Sequence, residues 1–389
     1  MKTFVLTSIA ALFLGSSLFA QEGERIDPAA HISLKNEIER AISRGLDFLK
    51  TKQRETGAFE DEDFPALTAL PISAFLLDPS RDSSAPTPEH IEKAFAFLLS
   101  KRQHDGGIYG KGLGTYNTAL SMNALMLDGR PEFDEPIEQA RRFLVGVQAD
   151  YGVKGETDNP FDGGIGYGGT YSHSDLSNSH FALEALYYHK RLYAERQDAP
   201  DDGGIDLDWD AAIRFIERSQ NRPETNDQPW ATDDEKHKGG FIYFPGKSQA
   251  GEEELSDGRV ALRSYGSMSY SGLLSYIYAD IRPGDPRVDA VLDWLRKNYV
   301  IDENPGMGAE GLYYYYHTMA KALTIAGIDT LELADGTKVD WRQDLAKQLF
   351  NVQRPDGSWF NDNGRWWEKD PVLVTGYSIL ALSRIHESF

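Results

Sequence analysis

One spacing recurs along this chain: an apolar residue near the end of a helical segment is followed four positions later by glutamine. The pairs are Leu49 with Gln53, Leu99 with Gln103, Leu144 with Gln148, Ile216 with Gln220, and Leu349 with Gln353. A sixth segment departs from the pattern, because Leu295 is followed by Tyr299. Units that repeat in this way bury their apolar faces only against their neighbours, so the chain is predicted to be a stack or ring of six similar units.

A glycine-rich turn follows most of these segments. The turns read Asp105–Ile108, Asp162–Ile165, Gly239–Phe241 and Asp356–Trp359. Asp-Gly and Gly-Gly pairs supply the positive φ angles that a tight reversal needs. The large apolar residue at the end of each turn is expected to pack the turn against the rest of the unit.

The segments after the turns differ in character from those before them. They are rich in Ala, Gly and Ser, carry little charge and repeat their apolar residues every three to four positions, the period of a helix. The earlier segments carry charge on one side, as at Arg141 and Arg142, which is typical of a helix that faces solvent. An open solenoid would need polar caps at its ends, and the last unit is as apolar as the middle ones. The sequence therefore predicts an all-α fold, an (α/α)6 toroid of six helical hairpins with inner and outer helix rings.

The N-terminal residues are predicted to lie outside this fold. Lys2 precedes an apolar run from Phe4 to Phe19, and the small residue Ala20 is followed by polar residues. This is the pattern of a cleaved secretory signal, and the run is shorter than the roughly 20 residues of a spanning helix. We expect a signal peptide over 1–20, an N-terminal extension over 21–33 and one toroid domain over 34–389. The mature protein would be exported, periplasmic or secreted, without stable membrane insertion; a retained membrane anchor is the alternative.

Composition narrows the possible functions. The chain has no cysteine, which excludes disulfides, thiolate metal ligands and a thiol nucleophile. Its formal net charge of −21 argues against nucleic acid as a partner, because phosphates are bound by basic patches. With 389 residues the chain also exceeds the roughly 250–300 at which a single hydrophobic core stops growing, which agrees with a repeat architecture.

Two motifs carry a family resemblance. The turn from Gln353 to Trp359 resembles the QW repeat of squalene and oxidosqualene cyclases, which recurs in looser form in the β subunits of protein prenyltransferases. Tyr316, His317 and Thr318 are similar to the segment that provides a zinc histidine in those β subunits. The resemblance to this prenyltransferase and squalene oxidase repeat family covers the chain from about Leu34 onward. It implies a ligand in the central cavity, near the N-termini of the inner helices.

The positions that correspond to that cavity are crowded with aromatic and polar side chains. A concave site with a few converging polar groups is the default place for a ligand. The resemblance therefore predicts ligand-binding roles for Tyr116, Asn117, Asn178, His180, Tyr265, Ser267, Tyr313, Trp366, Trp367 and Thr375.

The chemistry of the family does not carry over with the fold. Zinc-dependent prenyl transfer needs an Asp-x-Cys motif, and the chain has Arg263 and Tyr265 at those positions. Alkene protonation needs a D-x-D-D motif, and the chain has Asp175 followed by Ser177 and Asn178. The acidic run around Asp208 suits the start of an outer helix. No metal and no cofactor are predicted.

His317, Tyr316 and Asp175 are the candidate catalytic residues. A histidine with a pKa near neutrality is a natural proton carrier, and phenols surround His317 on its helix. The alternatives are a structural histidine at an inner helix and an aspartate that only caps one. Trp366 and Trp367 are expected either to close the ring as a lid or to stack on a ligand.

Three functions stay open, and whether the protein is an enzyme stays open with them. The first is an exported protein whose aromatic pocket binds or transforms an isoprenoid-like or other apolar ligand. The second is a secreted glycan-active enzyme, a lyase or hydrolase, that uses His317 and nearby tyrosines. The third is a binding or scaffold module without catalysis. Apolar walls would favour the first, an open groove with stacked tryptophans and paired carboxylates the second, and a filled centre the third.

Overall fold

The computed structural model describes residues 28–168, 173–194, 196 and 204–389. The predicted signal peptide and residues 21–27 of the predicted extension lie outside these ranges. In the part of the chain that is described, no helix is both long and apolar enough to span a bilayer.

Twelve α-helices alternate along the described chain between an outer and an inner layer. The outer helices are α1 (Pro28–Lys52), α3 (Glu89–Ser100), α5 (Asp134–Gly146), α7 (Trp209–Arg218), α9 (Pro286–Lys297) and α11 (Trp341–Val352). The inner helices are α2 (Ala66–Leu76), α4 (Gly114–Asp128), α6 (Leu176–Tyr193), α8 (Gly266–Tyr278), α10 (Leu312–Ile325) and α12 (Pro371–Glu387). Helix α1 begins inside the range predicted as an extension.

Short elements complete the described fold. Two antiparallel hairpins pair β1 (Glu252–Glu254) with β2 (Val260–Leu262) and β3 (Leu331–Glu332) with β4 (Lys338–Val339). Single 3₁₀ turns cover Pro131–Phe133 and Arg365–Trp367.

The inner helices form a closed ring. Each packs against the next in chain order, and α12 returns to pack against both α1 and α2. Every residue of α2 and of α8 is buried, whereas α3 buries only one face. This confirms the predicted toroid and the assignment of small-residue helices to the inner layer, where a helix must pack on all sides.

Aspartate caps set the start of several helices. The side chains of Asp208, Asp285, Asp340 and Asp370 each accept a hydrogen bond from an amide in the first turn of their helix. A carboxylate at this position satisfies an amide that has no partner within the helix and interacts favourably with the helix dipole. The acidic run around Asp208 is therefore structural, as its position predicted.

The recurrent glutamine joins four of the six units to the next. The Gln53 amide donates to the carbonyl of Gly57 in its own turn, at 3.0 Å, and to the carbonyl of His90 on α3, at 2.7 Å. The same double contact is made by Gln148 and Gln220, which reach the start of α7 and α9, and by Gln353, which reaches Ala41 in the middle of α1. Gln103 differs, because its amide bonds only carbonyls of its own turn.

The turn glycines are required by how closely each turn approaches the following outer helix. Gly163 has φ 82°, and a Cβ there would lie 1.9 Å from the Ala211 carbonyl oxygen on α7. Gly357 has φ 88°, and a Cβ there would lie 2.2 Å from the Arg44 carbonyl oxygen on α1. A side chain is excluded at both positions by conformation and by space.

The residue that ends each turn is anchored to an inner helix. The buried Trp359 donates its backbone amide to the Thr375 hydroxyl on α12 at 3.1 Å, and Ile108 does the same to Thr118 on α4 at 2.9 Å. Equivalent bonds join Phe59 to Thr68, Ile165 to Ser179, and Phe241 to Ser269.

The fifth unit has Tyr299 in place of the recurrent glutamine. The Tyr299 hydroxyl reaches the next outer helix, α11, where it donates to Asp344 at 3.0 Å.

Gln353→Ala is expected to lower the free energy of unfolding by about 2 kcal/mol, because the carbonyls of Ala41 and Gly357 lose a donor. It should also speed amide hydrogen exchange in α1, the first helix among the described residues, to which the last unit is tied. Urea unfolding and hydrogen exchange measure the two effects. Gln103→Ala is the matched control, since Gln103 makes no contact to a following helix. Unchanged exchange in α1 would contradict the role given to Gln353 in closing the ring.

Candidate functional site

A cavity of about 570 Å³ opens at the end of the ring where the inner helices begin. Its wall is mainly aliphatic and aromatic. The apolar part of the lining consists of Phe64, Ala66, Leu67, Leu113, Tyr116, Tyr167, Phe181, Tyr243, Tyr265, Met268, Tyr314, Trp366, Trp367, Leu373 and Tyr377. The volume falls within the roughly 300–1,000 Å³ typical of small-molecule sites.

Most phenol groups of the wall are bonded within the protein. The hydroxyls of Tyr116 and Tyr377 lie 2.7 Å apart, and those of Tyr167 and Tyr243 lie 2.8 Å apart. These pairs join helices or loops from different units. Because the hydroxyls bond one another, the tyrosine rings present mainly apolar surface to the cavity.

Tyr314 connects three inner helices at the cavity wall. Its hydroxyl lies 2.9 Å from the Ser271 hydroxyl on α8 and 3.4 Å from that of Ser177 on α6. It also lies 3.3 Å from Nδ1 of His180, which is itself 3.2 Å from the Ser177 carbonyl oxygen. His180 is therefore joined to the site through Tyr314, and its own side chain does not line the cavity.

Trp366 and Trp367 lie at the mouth of the cavity. Both are non-glycine residues with positive φ, 53° and 65°, and their side chains are 38% and 44% exposed. The Trp367 ring meets Phe64 edge-on, with ring centroids 4.3 Å apart. Left-handed backbone is costly for bulky side chains and persists only where the surroundings impose it. Arg365, which pairs with Glu310 and donates to Gln249 at 2.6 Å, holds this segment in place.

Glu368 is the one carboxylate among the described residues that line the cavity. One carboxylate oxygen accepts the Tyr314 amide at the start of α10, at 2.8 Å, and the other accepts the Asn361 amide group at 2.6 Å. Burial raises the pKa of Glu368 to about 7, against the lowering effect of these donors. The residue ties the tryptophan segment to α10.

Asp175 caps α6 just behind the cavity wall. Its carboxylate accepts the backbone amide of Asn178 at 2.9 Å and the side-chain amide of the same residue at 2.8 Å. Burial is the main cause that raises the pKa of Asp175 to about 7. Asn178 and Tyr243, which both contact Asp175, line the cavity, whereas Asp175 itself does not.

The structure brings most of the predicted ligand-binding residues to the cavity. Those that line it are Tyr116, Asn178, Tyr265, Ser267, Trp366 and Trp367. Four others hold neighbouring elements together. Asn117 accepts the Ala66 amide, Thr375 accepts the Trp359 amide, Tyr313 donates to the Phe360 carbonyl, and His180 lies beside Tyr314.

The predicted catalytic residues His317 and Tyr316 lie away from the cavity lining. The Tyr316 hydroxyl donates to the Ile301 carbonyl at 2.6 Å. His317 is 1% exposed and stacks on the Tyr377 ring, with centroids 4.9 Å apart. Burial is the first cause that holds its pKa well below the usual range, so His317 is neutral at pH 7.

A buried ion pair lies one helix turn below His317. Lys321 on α10 is 2.7 Å from Glu184 on α6, and both side chains are almost fully buried. Burial lowers the pKa of Lys321 to about 8. These charged groups join α10 to α6 inside the ring, beyond His317 as seen from the cavity.

Sequence reasoning missed several residues of the wall. The most important are Phe64, Lys111, Tyr167, Phe181, Tyr243, Tyr314 and Tyr377. Helical periodicity could have indicated Tyr314 and Tyr377. Tyr377, for example, follows Leu373 by four positions on α12, so the two side chains lie on the same face of the helix. Phe64, Lys111, Tyr167 and Tyr243 lie in loops and carry no signal of this kind.

No family model matches the chain, and no curated protein matches its sequence. Solved structures do resemble it. A variant of the type II terpene cyclase MstE from Scytonema, in complex with its substrate geranylgeranyl dihydroxybenzoate, is 11% identical, with a TM-score of 0.51 over 92% of this chain and 100% of that chain. A GH76 α-mannanase from Bacteroides thetaiotaomicron is 12% identical, with a TM-score of 0.54 over 93% of this chain and 98% of that chain.

These neighbours establish the class of fold. Both are α/α toroids, so the chain is an all-α toroid protein with an aromatic cavity at one end of its ring. At such low identity the likeness shows the fold alone, and a fold does not determine a function. Membership of the prenyltransferase and squalene oxidase repeat family stays a prediction from the sequence.

The raised pKa of Glu368 predicts a pH-dependent cost to stability. The folded pKa of about 7 exceeds the ordinary value of 4.5, so the folded state binds more protons and stability falls as pH rises between these values. Relative to Glu368→Gln, the wild type should lose roughly 3 kcal/mol of unfolding free energy across this window. Urea unfolding from pH 4 to pH 8 measures the difference.

Glu303→Gln makes the same substitution at an exposed glutamate outside the cavity lining and is the matched control. A stability difference between the wild type and Glu368→Gln that stays constant with pH would show that Glu368 does not titrate in this window.

Proposed function

We propose that this protein binds an elongated apolar ligand of isoprenoid type in the cavity at the inner-helix N-termini. The observation that carries the proposal is the lining, in which aromatic and aliphatic side chains predominate and phenol groups bond one another. Transfer of apolar surface from water into such a site is favourable by roughly 25 cal/mol per Å². A ligand with many hydroxyl groups would lose its bonds to water and gain few here.

The shape of the site supports the same proposal. The cavity is bordered below by Tyr377, behind which the His317 ring stacks, and above by Trp366 and Trp367. A chain of isoprene units fits a space of this kind, because its branched methyl groups pack against aromatic faces. The terpene cyclase that shares the fold acts on a geranylgeranyl compound, which agrees with this choice of ligand class.

Glycan binding is the second candidate, and the two exposed tryptophans at the mouth favour it. Glycoside hydrolysis, however, uses a pair of carboxyl groups that flank the scissile bond. Among the described lining residues Glu368 is the single carboxylate, and both of its oxygens are engaged by Tyr314 and Asn361. Asp175 lies behind Asn178. The wall therefore supports an apolar ligand better than a sugar chain.

Asp175 is the predicted catalytic residue that is placed best for a reaction in the cavity. It contacts two wall residues, Asn178 and Tyr243, and its pKa of about 7 suits a proton donor at neutral pH. His317 is separated from the cavity by Tyr377. We propose binding as the function, with Asp175 as the first residue to test for turnover.

Displacement of a fluorescent geranylgeranyl probe by unlabelled geranylgeraniol tests the proposal directly. Trp367→Ala is expected to weaken binding about fivefold, because the ligand loses an aromatic face at the mouth. Melting temperature should change little, since the side chain is 44% exposed. Trp209→Ala removes a tryptophan from the outer helix α7 and is the matched control. Tight binding of a mannose oligosaccharide with no binding of geranylgeraniol would refute the proposal and favour the glycan alternative.

His317→Leu separates the structural role of His317 from a functional one. We expect probe affinity within about twofold of the wild type, because His317 lies behind the Tyr377 ring. Stability should stay within about 2 kcal/mol, since neither ring nitrogen bonds another described residue. The same binding titration measures the probe affinity, and urea unfolding measures the stability. Loss of binding in a folded variant would instead place the imidazole at the ligand.

A further inference from the structure

We infer that the ligand is an amphiphile with one negative charge at its polar end, held at the cavity mouth by Lys111. This inference rests on the proposed apolar ligand and adds the chemistry of its head group. Lys111 is the one cationic side chain among the described residues that line the cavity. The carboxylate of a long-chain acid is the simplest head group of this kind.

Lys111 is placed at the mouth by the loop that precedes α4. Its backbone amide donates to the Asp63 carbonyl at 3.0 Å, which ties this loop to the segment that carries Phe64. The side chain is exposed, and no hydrogen bond or ion pair joins its ammonium group to another described residue. Arg365, a cation beside the two tryptophans of the mouth, is by contrast engaged by Glu310 and Gln249.

The charge balance at the mouth favours one negative charge over several. The chain carries a net charge of −21, and a single ammonium group neutralises a single charge. A diphosphate would bring more negative charge than Lys111 can offset and would also be repelled by the surrounding field. A carboxylate matches the ammonium group in number of charges.

The position of Glu368 sets the direction of the ligand. Lys111 lies at the start of α4, and Glu368 caps the start of α10. Two inner helices separate α4 from α10 in either direction around the ring, so the two helix starts that carry these groups face each other across it. An anionic head is attracted to the α4 side and repelled from the α10 side, while the apolar chain enters the cavity between them.

The test compares three probes that share one apolar chain: geranylgeranoic acid, geranylgeraniol and geranylgeranyl diphosphate. At pH 7.5 and low salt the wild type is expected to bind the acid about fivefold more tightly than the alcohol, the size of an exposed ion pair. Lys111→Gln should remove this preference and Lys111→Arg should keep it. The exposed Lys154 lies outside the cavity lining, so Lys154→Gln is the matched control and should behave as the wild type.

Salt provides a second readout. The preference for the acid should shrink as ionic strength rises in the wild type, because exposed charges are screened, and it should not change in Lys111→Gln. Equal affinity for acid and alcohol, or a preference that survives Lys111→Gln, would overturn the inference while leaving the apolar site intact. Tighter binding of the diphosphate than of the acid would overturn the inference that the head group carries a single negative charge. If neither the alcohol nor the acid binds, the proposed function itself fails, and this inference fails with it.

Discussion

The fold depends on one repeated contact, the fit of each glycine turn against the backbone of the following outer helix. A turn without a Cβ approaches that helix closely enough for a glutamine amide to bond carbonyls on both sides of the gap. Packing of small-faced helices alone would allow an open arc. The last of these contacts, from Gln353 and Gly357 to the first helix, instead returns the chain to its beginning. Closure removes the exposed ends that a solenoid must cap.

Closure also determines where a ligand site can form. The six inner helices begin at the same end of the ring, so their N-termini surround one space and supply amides that have no partner within a helix. Besides Asp370 at the start of α12, two carboxyl groups meet such amides, Asp175 on its own helix and Glu368 on α10. Burial nevertheless raises the pKa of both to about 7, so their protonation is coupled to the structure they hold. Below this level Lys321 pairs with Glu184 and joins α10 to α6.

The sequence predicted residues near the inner-helix N-termini, where the cavity lies, but could not resolve the direction of each side chain. Tyr313 and Tyr314 are neighbours on α10, yet the first bonds a loop carbonyl and the second lines the cavity, because consecutive helical residues point about 100° apart. The same rotation turns Asn117 and Thr375 toward neighbouring elements while Tyr116 and Tyr377 face the cavity. Lys111, Phe64 and Tyr243 come from loops, whose path depends on the whole ring and leaves no periodic trace in the sequence.

By itself, the sequence determined the number of units, the alternation of outer and inner helices and the absence of zinc and D-x-D-D motifs. These properties depend on local spacing, on the size of side chains and on residue identity, all of which can be read from neighbouring positions. Tertiary structure alone decided that His317 lies behind Tyr377, that Lys321 pairs with Glu184 one turn further along α10, and that Lys111 and Glu368 line the same cavity. Each of these features depends on the rotation of a helix about its axis or on contacts between units that are distant in the chain. Both are determined only when the ring closes.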